Sequence, residues 1–352
     1  TTNAGQNWTD QSSGYTAMRF MGIFILHPDT AYMSGNEGLI IKTVNGGTNW
    51  VTVYSEATLQ LWGLHFTNSF TGYTCGSNGR IMKTTNAGVN WVNQTSPVIA
   101  ALSAVYFINE NTGFICGSTV AFKTTNAGTN WINMNAPFVS FETFRDLHFF
   151  NENTGLYVSD LGRIGRTTNS GTNWTLVNSN TTQTLMGVWF ADSSTGYACG
   201  YAGTIIKTTD AGINWAVQTS PLNEILPDVS FTSINTGYIS SWTGKVLKTT
   251  NGGVTFISKI SSEIPDKFSL SQNYPNPFNP QTELRFEITE LRLVSLKIYD
   301  ALGREITALV KEKLSPGVYE TWWNAENYPS GVYYYRITAG DYSDTKKMIL
   351  LK

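Results

Sequence analysis

The stretch Lys83-Thr84-Thr85-Asn86-Ala87-Gly88-Val89-Asn90-Trp91 decides the fold, because it recurs along three quarters of the chain. Its Trp falls at Trp8, Trp50, Trp91, Trp131, Trp174 and Trp215, with Phe256 in the seventh place, at intervals of 42, 41, 40, 43, 41 and 41 residues. A period of roughly 40–45 residues is that of a four-stranded propeller blade. A helical solenoid of similar period is excluded. The units lack the 3.6-residue pattern, and each is broken by Gly several times.

Within each unit, four short strand patterns, A to D, are separated by turn signals. In the fifth they are Gly187 to Phe190, Gly196 to Cys199, Thr204 to Thr208, and a strand beginning at Trp215. Thr-Gly marks the A–B turn at positions 71, 112, 154, 195 and 236. The Asn-x-Gly element marks the C–D hairpin, because Asn and Gly tolerate positive φ. There the Thr and Asn side chains can bond the turn backbone, and the Trp that follows can cover it. The chain opens inside a motif, so residues 2–12 read as a lone D strand that completes the last blade. That gives six blades, with seven as the alternative if sequence precedes Thr1.

Composition agrees with an all-β chain rich in turns. Charged residues are 14%, against about 25% in ordinary soluble proteins, while aromatics are 13%. Net charge is −2 and Lys and Arg are scattered, so the basic footprint of a nucleic-acid binder is missing. No apolar run is long enough to span a membrane as a helix.

The element Thr84-x-Asn86-x-Gly88-x-Asn90-Trp91 resembles the Asp-box of BNR repeats, with Asn in the place of Asp except at Asp210. The whole unit, with its Gly-rich B–C turn before Ile-x-Lys-Thr-Thr, is similar to propellers of the photosystem II stability and assembly factor family. The resemblance covers residues 1–260. It implies a propeller, with the boxes as structural hairpins remote from any active site.

After Ile264-Pro265 the repeat stops, and residues 266–352 hold 22 of the 48 charged residues. This segment opens on Asn273-Tyr274-Pro275-Asn276-Pro277-Phe278-Asn279-Pro280 and continues as alternating strands with Gly turns. About seven strands are expected, forming a small immunoglobulin-like β-sandwich. The domains are therefore a propeller over 1–262, a linker over 263–272 and a sandwich over 273–352. The sandwich sequence, with Ser330-Gly331-Val332-Tyr333-Tyr334-Tyr335-Arg336 and the ending Lys347-Met348-Ile349-Leu350-Leu351-Lys352, resembles the type A sorting domain of the type IX secretion system. That resemblance implies the type IX machinery as partner. It places the chain outside the cell or on the outer-membrane surface of a Bacteroidetes-like bacterium.

Candidate chemistry is sparse. Cys75, Cys116 and Cys199 share one strand-B position with Ser34, Ser159 and Ser240, so the site takes a small side chain, without a disulfide or metal. His65 and His148 share a strand-A position with Tyr106, Trp189 and Ser230, which describes a packing site. A sialidase would need three converging arginines and a Tyr–Glu nucleophile, and the propeller's five arginines offer no such set. No catalytic, metal or cofactor residue is expected. Local function should sit where the D–A connections and B–C turns meet, at Glu37, Trp62, Arg80, Arg145, Asp146, Arg163, Asp228 and Lys245. The expectation is an exported, non-catalytic binding or structural module with a protein, glycan or self partner and no nucleic acid. A glycan-active enzyme of sialidase type is the alternative.

Overall fold

The computed structural model describes residues 13–15, 18–139, 142–218, 220–250, 252–253, 257–261, 263–325 and 328–352. Among them the regular structure is strand, with short one-turn 3-10 segments at three B–C turns. No helix is long and apolar enough to cross a membrane. The described residues divide into two compact units, 13–188 with 210–214, and 189–209 with 215–352.

The first unit holds four antiparallel four-stranded sheets. The first is Phe20–His27, Thr30–Gly35, Ile40–Thr43 and Val51–Tyr54, hydrogen-bonded in chain order. The next three span 61–93, 104–133 and 144–177 with the same order. A fifth sheet opens with Leu185–Phe190, within which the chain passes to the second unit. The A–B–C–D order expected from the repeat is therefore met sheet by sheet.

One aromatic arrangement joins neighbouring sheets. Tyr32 stacks on Phe66, and Trp91 meets that Phe edge-on. Tyr73, Phe107 and Trp131 repeat this one sheet later, as do Phe114, Phe149 and Trp174. Thus a strand-B ring reaches forward to a strand-A Phe, and the repeat Trp closes over it. In the hairpin itself, Thr84 Oγ1 accepts from Gly88 N, and Asn86 Oδ1 accepts from Asn90 N. This bonding repeats from Thr43 and Asn45 onward, so the Thr-x-Asn spacing is a turn-locking device. Trp8 and the rest of residues 1–12 lie outside the described residues.

In the second unit the last repeat sheet is Asp228–Phe231, Gly237–Ser240, Val246–Thr249 and Ile257–Ser261. Its fourth place, expected to receive the N-terminal strand, is held by Ile257–Ser261. The sheet then continues into the C-terminal region through Gly317–Asn324, Gln281–Ile288 and Ser269–Leu270. A second sheet is ordered Glu305–Leu314, Arg292–Tyr299, Gly331–Ala339 and Tyr342–Leu350. The two share one core that includes Leu284, Phe286, Leu296, Ile298, Tyr335 and Ile337. From Ser269 onward this makes the expected seven strands in two layers. The proline-rich opening runs along them, with Tyr274 bonded to Glu283 and Phe278 to Ile349 and Leu351.

Candidate functional site

The B–C turns place a residue with φ near +56° three positions before the start of strand C. Glu37, Asn78, Leu161 and Ala202 all hold this place. The residue two further on accepts, through its carbonyl, from the N–H at the end of strand B, and it is Leu39, Arg80, Arg163 or Thr204; the Lys245 carbonyl likewise accepts from Ser241 N. Glu37 is therefore not the structural equivalent of Arg80. The charge in the Asn36-Glu37-Gly38 turn hides an offset of two residues.

The cations of these turns are engaged within the chain. Arg80 meets Glu56 at 3.0 Å, Arg163 meets Glu142 at 3.3 Å, and Lys245 meets Glu224 at 3.7 Å. Each carboxylate comes from the D–A connection that precedes its sheet, in every second repeat. Glu142 is fully buried and also accepts from Val139 N and from Ser159 Oγ. Reasoning from sequence missed Glu56, Glu142 and Glu224, because acids in irregular connections carry no periodic signal. Their recurrence beside a basic turn residue in alternate repeats is the signal that could have found them.

Arg145 and Trp62 both sit where the A–B ladder slips by one residue, between Phe144 and Asp146 and between Leu61 and Gly63. A bulge of this kind re-aims its side chain. Arg145 Nε donates to Asp160 Oδ1 at 2.8 Å, while Trp62 is half-buried. Asp146 bonds backbone N–H groups of this chain. It accepts from Leu147 N and, across to the next A strand, from Val188 N at 2.9 Å. Consecutive A strands approach closely at this position. At Gly63 a Cβ would lie 2.8 Å from Val105 N. Asp228 takes the same position in the last sheet, accepting from Val229 N at 2.8 Å. Water reaches its side chain, yet the protein crowding around it raises its pKa to about 6.

Arg80, Arg145 and Arg163 thus each face a carboxylate of this chain. Among the described residues, no three His, Cys, Asp or Glu side chains gather as a metal site would require. The turns and connections of the first unit also present apolar side chains. Ile99 is 91% exposed, Leu161 59%, Phe138 53% and Val139 40%. Val139 and Leu161 adjoin the Arg163–Glu142 pair, since Val139 N bonds Glu142 and Leu161 lies in the turn that leads to Arg163.

The three cysteines are buried thiols, with Sγ turned toward Leu102 O, Phe144 O and Leu226 O. Burial pushes the Cys75 thiol up to about 12 and Cys116 well above its ordinary value. His65 and His148 alternate with other rings in a row, Phe24–His65 at 5.1 Å, His65–Tyr106 at 5.2 Å and Tyr106–His148 at 5.3 Å. Both were read as packing residues, and they pack.

No curated protein matches the chain. Among solved structures it is similar to YCF48 bound to D1 peptide, at 15% identity and a TM-score of 0.57, covering 87% of this chain and 94% of that one. It is also similar to YCF48 from Cyanidioschyzon merolae, at 14% identity and a TM-score of 0.57, covering 88% and 96%. The WD40 propeller of Doa1 matches at 11% identity and a TM-score of 0.51, covering 67% and 91%. These likenesses concern the propeller fold. Residues 272–351 match the secretion system C-terminal sorting domain, which marks the chain for export to the cell surface or beyond. Residues 48–181 and 166–263, more than half of the sequence, match the model of photosynthesis system II assembly factor YCF48, and the chain belongs to that family.

Proposed function

We propose that the chain is an exported, non-catalytic binding module that receives an extended segment of another protein on the turns and connections of its first unit. The observation that carries this is the pairing of Arg80, Arg145 and Arg163 with internal carboxylates beside the exposed apolar side chains of Ile99, Phe138, Val139 and Leu161. A surface of neutralised charge and exposed apolar groups suits a partner chain better than a charged small molecule. That a YCF48 structure holds a bound peptide supports the same class of partner. The six repeat sheets are, in this reading, six blades of one propeller. The C-terminal strands form an immunoglobulin-like sandwich that the type IX machinery of a Bacteroidetes-like host recognises.

Photo-crosslinking on host cells tests the binding role. A crosslinker at Phe138 or Leu161 should capture a discrete extracellular protein, and one at Val92, on an outer strand, should not. Equal capture at both positions, or hydrolysis of glycosides by the purified chain, would remove the proposal. Averaged electron micrographs would count the blades.

A further inference from the structure

The strand Ile257–Ser261 stands between two structures, and its contacts are lopsided. Among the described residues it makes one pairing toward the repeat sheet, Lys248 with Ile257. Toward the C-terminal region it makes four, Ile257 with Thr321, Ser258 with Glu320, Lys259 with Tyr319 and Ser261 with Val318. The fourth strands of the earlier sheets, such as Ile132–Asn133 and Thr175–Val177, end their sheets and pair only inward.

Side chains lean the same way. Ile257 is 6% exposed and belongs to one core with Leu270, Phe286 and Tyr319. Lys259 Nζ donates to Ser315 Oγ at 3.1 Å and lies over the Tyr319 ring at 5.8 Å. Opposite it, Gly317 has φ +150°, and a Cβ there would sit 2.3 Å from Lys259 Cε and 2.7 Å from Ser261 O. Gly317 therefore makes room for this strand. An unpaired edge along Gly317–Asn324 would otherwise leave a row of backbone donors and acceptors open to any extended chain.

We propose that Ile257–Ser261 is the first strand of the sorting module, so that the unit which folds and travels together is 257–352 rather than the matched 272–351. The outer edge of Gly317–Asn324 is a strand-receiving site, and its occupant is this chain's own 257–261 segment. The tail consequently stays attached to the propeller when the connection after Ser261 is cut, because the strand remains seated. A cut before Ile257 frees the tail with its strand.

The test uses the full chain with a protease site inserted at one of two places, between Glu263 and Lys267 or between Gly253 and Ile257. After cleavage under native conditions, the first variant should elute as one species in gel filtration and separate only in denaturant. The second should separate into two. Separation of the first variant, or retention in the second, overturns the proposal. Because an insertion could perturb folding, Lys259→Ala and Gly317→Val in the first variant provide a second measurement, and each should convert retention into release. Retention unchanged by both substitutions also overturns it. None of these outcomes depends on export, so a failed sorting assignment would leave the result standing.

Discussion

Tyr73 lies flat on Phe107 of the following sheet, with ring centroids 3.9 Å apart and planes 16° from parallel, and Trp131 closes on the same Phe at 6.1 Å. The three rings are buried and join two sheets that share no backbone ladder. Trp131→Ala should therefore lower stability by about 3–5 kcal/mol, since a large cavity opens between sheets. Trp131 Nε1 has no hydrogen-bond partner among the described residues. Trp131→Phe should accordingly cost less, about 1–2 kcal/mol. Denaturant melts of both variants decide it, and equal losses would show that the indole N–H matters.

Stability should fall in acid because of two rings in the strand-A row. Burial lowers His65 and His148 from 6.5 to about 4. The unfolded chain then takes up protons that the folded one refuses. Stability is fully present above about pH 6.5 and is lost as pH falls toward 4, by about 2–3 kcal/mol for each ring. Melting temperatures measured across this window should show the slope, and His65→Phe with His148→Phe should flatten it.

Asp228 should act in the opposite sense. Its pKa is raised from 3.8 to about 6, so the folded chain holds a proton that the unfolded chain releases. Its contribution is present below about pH 4 and is lost as pH rises through 6. A carbon-detected NMR titration should place the carboxyl midpoint near 6. Asp228→Asn should be relatively more stable at pH 7 than at pH 4, and a normal midpoint would refute the crowding assigned to this position.

The paired turn cations should differ in weight. Glu142 is fully buried, whereas the side chain of Glu56 is 37% exposed. Arg163→Ala strands a buried carboxylate and should cost about 3–5 kcal/mol. Arg80→Ala should cost no more than about 1 kcal/mol. Adding Glu142→Gln to Arg163→Ala should recover part of the loss, which thermal melts of the double variant would show.

The architecture of the repeats was legible because the Asn-x-Gly turn and its Trp are local devices with a fixed spacing. Thr84, Asn86 and Gly88 bond one another, so their order in the chain is the order of the contact. The partners of charged turn residues were not legible. Arg163 finds Glu142 across an irregular connection, and Asp146 finds a backbone N–H in another strand, which no spacing announces. The strand Ile257–Ser261 was not legible as the fourth of the last repeat sheet, a place the sequence assigned to residues 2–12. Its side-chain partners, Ser315 and Tyr319, lie more than fifty residues further along.

The ion pairs between turns and connections recur in alternate sheets, whereas the aromatic stacks run from one sheet to the next at Tyr32–Phe66, Tyr73–Phe107 and Phe114–Phe149, and again at Tyr197–Phe231. The molecule thus carries two rhythms, a beat of one for packing and a beat of two for charge. An engineer who excises a single repeat, such as 94–133, can restore the ring stacking at the new junction, yet places two basic turns side by side and breaks the alternation. Excising or adding repeats in twos keeps both rhythms, so pairs are the natural quantum of length for variants of this scaffold.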